Sequence, residues 1–424
     1  MSRSKPLTKF KKDFTVGYFL AVRELKRSNP WSTALVIFVM SLTFMNMLLM
    51  GGILIGLAEG MMNSFQKYYS SDVLIKPSVQ NYSITESSLL QNVIETLPTY
   101  EASSSRYTAP SVLENQDKVK IKETDISERV SGTLVGINPI EEDRVTGIST
   151  KIIKGSYLDE YSTDKIIVGK SLLTQYSKGS STEPRLEGVG VGSRLLLLVG
   201  DAKMEVVVEG IIDSGNATID SRIFISEATM RTLIRNQNLS VNEIAISLAP
   251  SSSGQDAKQY ILANFPYSSD VVVETSEEAL PKAILDMKKT FSMLGNMVGV
   301  ISLIVGAITI FIVIFVNAIT RRKYIGIMKG IGISARAIEI SYIIQSMFYA
   351  FSGIVIASVL ILGLLKPWFA IHPLKFPVTE GQLAVTTSGL IVRSLILMVT
   401  AFISGYIPAR MVTKQNTLDA ILGR

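Results

Sequence analysis

The sequence predicts a polytopic α-helical membrane protein with four transmembrane helices and a large mixed α+β extracytoplasmic domain inserted between helices 1 and 2. The first observation behind this prediction is four apolar stretches, each long enough to cross about 30 Å of hydrocarbon as a helix of roughly 20 residues. The second is an acidic segment, residues 59–289, between the first two stretches. The third is a concentration of basic residues in the segments that would lie on one side of the membrane.

The apolar stretches define the predicted spans, which are residues 31–58, 290–320, 340–365 and 385–409. Three of them contain no charged residue, and Arg393 interrupts the fourth. The first span is longer than the apolar core of a signal peptide, and it follows thirty residues that carry eight Lys or Arg. We therefore interpret it as a retained membrane anchor.

Charge is divided unevenly along the chain. The net charge is +6, but residues 60–290 contain 23 basic and 30 acidic side chains, so the remainder carries +13. The basic residues lie in the segments 1–30, 321–339 and 410–424. The predicted external loop, 366–384, contains two lysines. Because basic loops stay on the cytoplasmic side, we expect both termini inside the cell membrane and the acidic domain outside. This distribution does not fit a nucleic-acid-binding protein.

The N-terminal segment, residues 1–30, is predicted to form an amphipathic cytoplasmic helix. Phe10, Phe14 and Phe19 lie among lysines and arginines. That composition is typical of helices that lie on the inner leaflet and contact membrane lipids. A basic topology signal without a helix is the alternative interpretation.

Residues 59–289 have the pattern of a mixed α and β domain. Helical stalks are expected at both of its ends, because residues 59–69 contain no proline and the pattern after Pro281 enters the second span without a Gly/Ser linker. Short helices on the bilayer surface are the alternative. Runs of β-branched residues predict strands at 72–75, 130–137, 166–168, 194–199, 204–212, 222–225, 243–248 and 271–273.

Composition and motifs argue against an enzyme. The chain has no cysteine and one histidine, His372, which excludes disulfides, thiolate catalysis and multi-histidine metal sites. No G-x-x-x-x-G-K-[ST] motif occurs, and Gly188, Gly190 and Gly192 precede a strand instead of joining a strand to a helix. We expect this chain to bind no cofactor or metal and to have no catalytic residues.

Glycines recur at four-residue spacing at the outer ends of the first two spans. Gly52, Gly56 and Gly60 form one row, and Gly295 and Gly299 repeat the spacing. Such rows let two helix backbones approach closely in a membrane. We expect the two spans to pack together here, within one subunit or across a dimer; chance glycines in apolar helices are the alternative.

Two polar residues lie inside the predicted spans. Arg393 would be costly in hydrocarbon unless it reaches the interface, a partner or water. An interfacial arginine is the favoured interpretation, and a functional intramembrane residue is the alternative. Asn46, in the middle of the first span, is expected to form an interhelical hydrogen bond.

The segment after the second predicted span carries the most specific pattern. Residues 321–334 read Arg-Arg-Lys-Tyr-Ile-Gly-Ile-Met-Lys-Gly-Ile-Gly-Ile-Ser. This resembles the signature of MacB/FtsX/LolC-type ABC transporter permeases: a basic pair, Ile-Gly-Ile-Leu/Met, a basic residue, a small residue, Leu/Ile, Gly, any residue and Ser. Gly330 stands where that family more often has alanine. Residues 408–410 and 418–421 look like its C-terminal elements, although Thr417 replaces a proline.

The exterior segment adds weaker similarities. Residues 135–139 and 210–215, followed by Asp220, resemble the lipoprotein-releasing LolC/LolE branch. The resemblance covers nearly the whole chain, with one span, a large exterior domain and three further spans. Residues 59–289 are therefore expected to form a MacB-like periplasmic core domain.

The resemblance implies a permease subunit that forms a homodimer, or a heterodimer with a second permease. It also implies separate ABC ATPase subunits that hydrolyse ATP, dock on residues 321–336 and drive movement of the exterior domain. The residues that match the signature and would couple to the ATPase are Arg321, Arg322, Ile325, Gly326, Ile327, Met328, Lys329, Gly332 and Ser334.

Three functions stay open from the sequence. The first is transport, by extraction and release of lipoproteins or another amphiphile or by export with an adaptor. The second is FtsX-like signalling, in which the exterior domain activates a cell-wall hydrolase. The third is a membrane-anchored receptor without an ATPase. The large exterior domain favours the first over the second, and the coupling signature argues against the third.

Overall fold

The computed structural model describes residues 6–78, 82–115, 128–176, 184–235, 240–372, 374–375, 380–381 and 383–414. The chain divides into two compact units. A membrane unit comprises Met1–Leu57, Met287–Leu374 and Gly381–Arg424, and an exterior unit comprises Ala58–Asp286 and Lys375–Glu380.

Long helices dominate the membrane unit. Among the described residues, four helical segments are long and apolar enough to cross a membrane: Pro30–Ser70, Lys282–Thr320, Ala335–Ile371 and Thr387–Thr413. The helices of this part of the chain are α1 (Pro6–Arg27), α2 (Pro30–Phe65), α8 (Lys282–Thr320), α9 (Arg322–Gly330), α10 (Ala335–Leu360), α11 (Lys366–Ile371) and α12 (Thr387–Thr413). A π-helical turn, Ile361–Leu365, joins α10 to α11.

Apolar side chains and close backbone contacts hold the membrane helices together. Met40 and Phe44 of α2 are fully buried in a core that Ile310 and Ile314 of α8 share. The α10 helix packs close to α2 at Gly353, where an added Cβ would lie 2.7 Å from the Cβ of Met40. Small residues at helix contacts are characteristic of membrane proteins, since lipid supplies no hydrophobic force between helices.

The exterior unit is built on one ten-stranded sheet of described strands, in the order β10-β1-β9-β2-β3-β8-β5-β7-β4 with β6 pairing to β2 and β7. Its strands are β1 (Val73–Pro77), β2 (Tyr100–Asn115), β3 (Arg129–Ile137), β4 (Ile152–Gly155), β5 (Lys165–Gly169), β6 (Arg194–Val199), β7 (Ala202–Ile212), β8 (Arg222–Ser226), β9 (Glu243–Leu248) and β10 (Val271–Thr275). Its helices are α3 (Ser87–Glu95), α4 (Pro139–Thr146), α5 (Ala217–Asp220), α6 (Glu227–Leu233) and α7 (Gly254–Asn264). The short strands β11 (Leu374–Lys375) and β12 (Glu380–Gly381) pair with each other.

The predicted fold class is confirmed: four membrane-length helices, with a mixed α and β unit inserted between the first and second. Eight of the ten strands in the large sheet coincide with predicted runs, and β2 and β4 do not. The β2 strand is the longest of the described strands. It contains Ser103, Ser104 and Ser105, and serine is not among the β-branched residues on which the strand prediction relied. The Ser104 hydroxyl donates a buried hydrogen bond to Glu142, so this polar strand is stabilised by a partner far away in the sequence.

Candidate functional site

The segment that carries the family signature forms a short helix with a tight end. After α9, Gly332 adopts a φ of 96°, in the left-handed region that glycine tolerates best. The Gly332 N–H donates to Lys329 O at 3.1 Å and the Ile333 N–H to Met328 O at 3.0 Å. This pair of bonds is a Schellman motif, which satisfies the last carbonyls of the helix. It directs the chain to Ser334, whose hydroxyl caps α10 by accepting from Ala337 N.

One face of α9 is buried and the opposite face is open. Ile325 and Gly326 lie in the membrane-unit core, and Met328 packs against it. Tyr324, Ile327 and Ile331 are 68, 51 and 75% exposed; we call these three residues the exposed stripe. Lys323 and Arg336, also exposed, lie close to it in the sequence. Clustered exposed apolar side chains mark interaction sites more often than isolated ones do.

The α1 helix anchors both ends of this segment. Ser334 Oγ donates to Asp13 Oδ1 at 2.6 Å, and Arg321 forms an ion pair with Glu24 at 3.3 Å. Glu24 also accepts from Gln345 of α10. Between these contacts α1 lies close to α10, since a Cβ added to Gly17 would be 2.7 Å from Ala337 O. The sequence prediction did not include Asp13 and Glu24, although they are the acidic residues of segment 1–30.

The end of α12 provides a third anchor. Lys329 Nζ donates to the carbonyl of Thr413 at 3.0 Å, and the Thr413 hydroxyl donates to Glu339 of α10 at 2.8 Å. Arg322 begins α9 and is half-buried. Residues 321–334 are therefore held by α1, α10 and α12 while the exposed stripe faces outward.

The predicted glycine contacts involve a neighbouring residue. A Cβ added to Gly295 would lie 2.9 Å from the Cα of Gly51, and one added to Gly299 would lie 3.3 Å from Met47. Gly51, the neighbour of Gly52 in the predicted row, is thus the residue of α2 that meets Gly295 of α8. Successive helical residues point about 100° apart, and Gly52 instead faces the segment before α12, where it accepts a hydrogen bond from Ala384 N at 3.1 Å. In the predicted row, Gly56 is buried and Gly60 is half-buried.

The two intramembrane polar residues have different surroundings. Asn46 donates to Ser302 of α8 at 2.9 Å, an interhelical hydrogen bond. Arg393 extends its guanidinium against Gly51, where any larger side chain would collide with it. Gly51 is 20 residues beyond Trp31, the start of the first predicted span, and 20 helical residues cover about 30 Å. This length is compatible with an interfacial arginine, which stays a prediction for Arg393.

In the exterior unit, the LolC/LolE-like residues 210–215 lead into a buried loop. Asp220 accepts from the N–H and the hydroxyl of Ser214, both at 2.7 Å, and lies 3.5 Å from the ammonium of Lys170. Burial raises the pKa of the Asp220 carboxyl to about 6, although the Ser214 bonds and Lys170 act in the opposite direction. Asn216 in this loop donates to the carbonyl of Met61, in the last turns of α2, at 3.2 Å.

The second LolC/LolE-like stretch, 135–139, also leads to the end of α2. Asn138 caps α4 by accepting from Ile140 N at 3.0 Å. At the other end of α4, the Val145 carbonyl accepts from Ser71, which follows the π-helical turn Gln66–Ser70 that extends α2. Residues that follow the two motifs, Asn216 and Val145, therefore contact the last turns of α2 and the residue after its π-helical extension. Among the described residues, no group of three or more His, Cys, Asp or Glu could hold a metal ion.

Comparisons with known proteins agree on a family. Residues 296–417 match the FtsX-like permease C-terminal family. The MacB macrolide export ATP-binding/permease protein of Haemophilus ducreyi is 24% identical over 234 residues, which cover 53% of this chain and 32% of that protein. An uncharacterised ABC transporter permease of Methanocaldococcus jannaschii is 26% identical over 54% of this chain and 57% of its own length. The chain thus matches about a third of the MacB relative and just over half of the archaeal one.

Two solved structures each align with about half of this chain. The periplasmic region of MacB from Actinobacillus actinomycetemcomitans aligns with a TM-score of 0.33 and 12% identity, over 50% of this chain and 92% of that one. The extracellular domain of the ABC-type transporter YknZ from Gram-positive bacteria aligns with a TM-score of 0.31 and 14% identity, over 48% of this chain and 98% of that one.

Proposed function

Because this chain belongs to the MacB/FtsX type of ABC transporter permeases, we propose that it is a membrane subunit that passes ATP-driven movement from an ABC ATPase to its exterior unit. The proposed result of this movement is the extraction or release of a lipoprotein or another amphiphile. Residues 135–139 and 210–215, with their LolC/LolE-like sequences, favour a lipoprotein among these substrates. The MacB relative is named as both an ATP-binding protein and a permease. No Walker motif occurs here, which supports ATP binding outside these 424 residues.

The single observation that carries the proposal is the geometry of residues 321–334. Polar contacts to α1, α10 and α12 fix this segment, so a force applied to it is passed to several helices at once. The exposed stripe of Tyr324, Ile327 and Ile331 supplies apolar area at which an ATPase can dock. Nearby, Lys323 and Arg336 supply positive charge that can select an acidic partner surface.

The proposed arrangement has the coupling segment and both termini in the cytoplasm, with the protein in the cell membrane, as the basic residues beside the spans indicate. A second permease, identical or related, is proposed to pack beside the membrane unit. Met293, Met297 and Ile301 of α8 are each more than half exposed. In a membrane such an apolar face contacts lipid or another helix.

Photocrosslinking from the coupling segment tests the proposal. A photoreactive amino acid is placed at Ile327, which is exposed, or at Ile325, which is 1% exposed and serves as the matched control. We expect a crosslink to an ABC ATPase from Ile327 in native membranes and none from Ile325. Absence of any ATPase adduct at Ile327, with the protein correctly inserted, would contradict ATPase docking at this surface.

Identification of the molecule that binds the exterior unit distinguishes transport from signalling. We expect crosslinks from the exterior unit to capture a lipid-modified protein or another amphiphile. Capture of an unlipidated cell-wall hydrolase would replace the transport proposal with the FtsX-like signalling one.

A further inference from the structure

The outer extension of α2 ends in a tyrosine enclosed by charged groups. Tyr69, in the π-helical turn Gln66–Ser70, is 6% exposed. Its hydroxyl donates to Glu243 Oε1 at 2.5 Å and accepts from Arg222 Nη2 at 2.9 Å. Two guanidinium groups lie against its ring, with Cζ of Arg222 and of Arg106 at 4.3 and 4.9 Å from the ring centroid. One side chain thus makes two hydrogen bonds and two cation–π contacts.

The groups that hold Tyr69 come from three strands and are themselves fixed. Arg106 lies on β2 directly opposite Glu243 on β9, and Arg222 lies on β8. Arg106 forms a bidentate pair with Glu142 of α4, at 2.8 and 2.7 Å, and both side chains are at most 2% exposed. Burial opposes the charge on Arg106, but the attraction of Glu142 outweighs it and holds the pKa of the guanidinium above its ordinary value. The Arg106 side chain that contacts the ring therefore cannot move away without breaking its buried ion pair with Glu142.

Some charged atoms around Tyr69 form no hydrogen bond with each other. The tyrosine hydroxyl therefore supplies hydrogen bonds that the charged groups do not make among themselves. Among the described residues, Nη1 of Arg106, Nη1 of Arg222 and Oε2 of Glu243 have no hydrogen-bond partner. The two guanidinium groups stand 3.9 and 4.0 Å from that same oxygen. The hydroxyl of Tyr69 is the group that connects Arg222 to Glu243 by hydrogen bonds. A buried site that serves packing alone would be filled at lower cost by apolar side chains.

We propose that Tyr69 is a positioning residue that fixes the outer end of α2 to the sheet, so that displacement of α2 moves β2, β8 and β9 with it. This rests on the proposed function, because it names the joint through which movement of the first membrane helix reaches the exterior unit. In this proposal, the cation–π contacts hold the Tyr69 ring in place. The two hydrogen bonds of its hydroxyl set the orientation of the side chain.

Distance measurements within the exterior unit test the joint directly. The chain has no cysteine, so Asn63→Cys on α2 and Val272→Cys on β10, both exposed, allow specific spin labelling of the full chain in nanodiscs. We expect a narrow distance distribution in the parent protein without nucleotide. Tyr69→Ala is expected to broaden it markedly, and Tyr69→Phe, which keeps the ring, less so. Tyr107→Phe is the matched control, since Tyr107 is also buried, at 2% exposed, but its hydroxyl donates to Glu227 of α6 at 3.3 Å and not to a residue of the Tyr69 cluster.

The same variants are then assayed with the ATPase that copurifies. We expect Tyr69→Ala to keep the ATPase rate within about twofold while export falls roughly tenfold, and Tyr107→Phe to behave like the parent. An unchanged distance distribution in both Tyr69 variants, or equal broadening in Tyr107→Phe, would overturn the joint. If the ATPase copurified with the parent protein hydrolyses ATP but no amphiphile is exported, the proposed function is contradicted instead. The distances measured without nucleotide would still decide the role of Tyr69.

Discussion

The coupling segment 321–334 and the outer end of α2 are both held by buried polar contacts, but only the first leaves an apolar face open. The coupling segment is fixed at Asp13, Glu24 and Thr413, yet Ile331 beside these anchors is 75% exposed. At the outer end of α2, Tyr69 is 6% exposed and charged side chains surround it. The difference indicates that the first region is built to receive a partner and the second to hold its own elements together.

The two regions should therefore respond differently to substitution. Disruption of the closed exterior cluster is expected to lower the stability of the protein, because charges stay buried without partners. Disruption of the open surface of the coupling segment is expected to change partner binding with little effect on folding, because exposed side chains contribute little to the folded state. The predictions below test this contrast, from the largest expected effect to the smallest.

Removal of Arg106 should have the largest effect on stability. Arg106→Ala leaves Glu142 buried without its ion-pair partner, which is expected to cost about 3–5 kcal/mol of unfolding free energy. Arg129→Ala is the control, because Arg129 pairs with Glu114 at 3.0 Å but its side chain is 56% exposed, and such pairs contribute at most about 1 kcal/mol. Denaturant unfolding of the full chain in detergent measures both. Similar losses in the two variants would contradict the distinction.

Asp220 should make the stability of the exterior unit depend on pH. Its pKa is about 6 when folded, against an ordinary value of 3.8. The folded state therefore binds the proton more tightly, so this contribution to stability is full below pH 3.8 and is lost as the pH rises through 6. Between pH 4 and 7 the stability of the parent relative to Asp220→Asn should fall by about 2–3 kcal/mol. Asp201→Asn, at an exposed turn, should show no such trend, and a rise with pH would refute the assignment.

Gly295 should tolerate no large side chain. Gly295→Leu would place its Cβ 2.9 Å from the Cα of Gly51, a backbone atom of α2, and overpacking of this kind costs about 1–3 kcal/mol. Gly363→Leu is the control, since an added Cβ there meets nothing within 4 Å. Unfolding in mixed detergent micelles compares the two variants. Equal stability would show that the contact between α2 and α8 is not close in the membrane.

Substitutions at the end of α9 should give the smallest changes in stability. The changes at two glycines, Gly332 and Gly330, should have opposite signs. Gly332→Ala forces a side chain into the left-handed region and should destabilise the turn by about 1–2 kcal/mol. Gly330→Ala lies in the helix with open space around it and should stabilise the helix by about 0.5–1 kcal/mol. Hydrogen exchange of residues 322–334 measures the local effect. Unchanged or slower exchange in Gly332→Ala would argue against the turn described for Gly332.

The sequence was sufficient for the helical part of the fold because four long apolar stretches leave few alternatives in a membrane. Contacts between distant residues were harder to predict. Spacing along a helix identifies the row Gly52, Gly56 and Gly60 but not the rotation of that row relative to α8, so the contact of the adjacent Gly51 with Gly295 could not be predicted. Strand β2 was missed because its serines are stabilised by partners such as Glu142, which lies 38 residues away from Ser104.

The candidate site was predicted in part. The signature located residues 321–334, and its pattern of apolar and basic residues corresponds to a helix with one buried and one open face. Asp13 and Glu24 could have been noticed as the acidic residues of a basic segment, but their partners depend on how α1 packs against α10. Tyr69 and Arg106 have no local signal, since their environment is created by strands that the sequence brings together only on folding.

Docking of an ABC ATPase on the exposed stripe is the central claim, and copurification tests it most directly. The parent protein, a variant with Tyr324→Ser, Ile327→Ser and Ile331→Ser, and the exterior control Tyr82→Ser, at a site that is 97% exposed, are purified from native membranes under the same conditions. We expect the parent and the Tyr82 variant to retain an ABC ATPase, and the triple variant to lose it while its thermal stability is unchanged. Retention of the ATPase by the stable triple variant would contradict the claim.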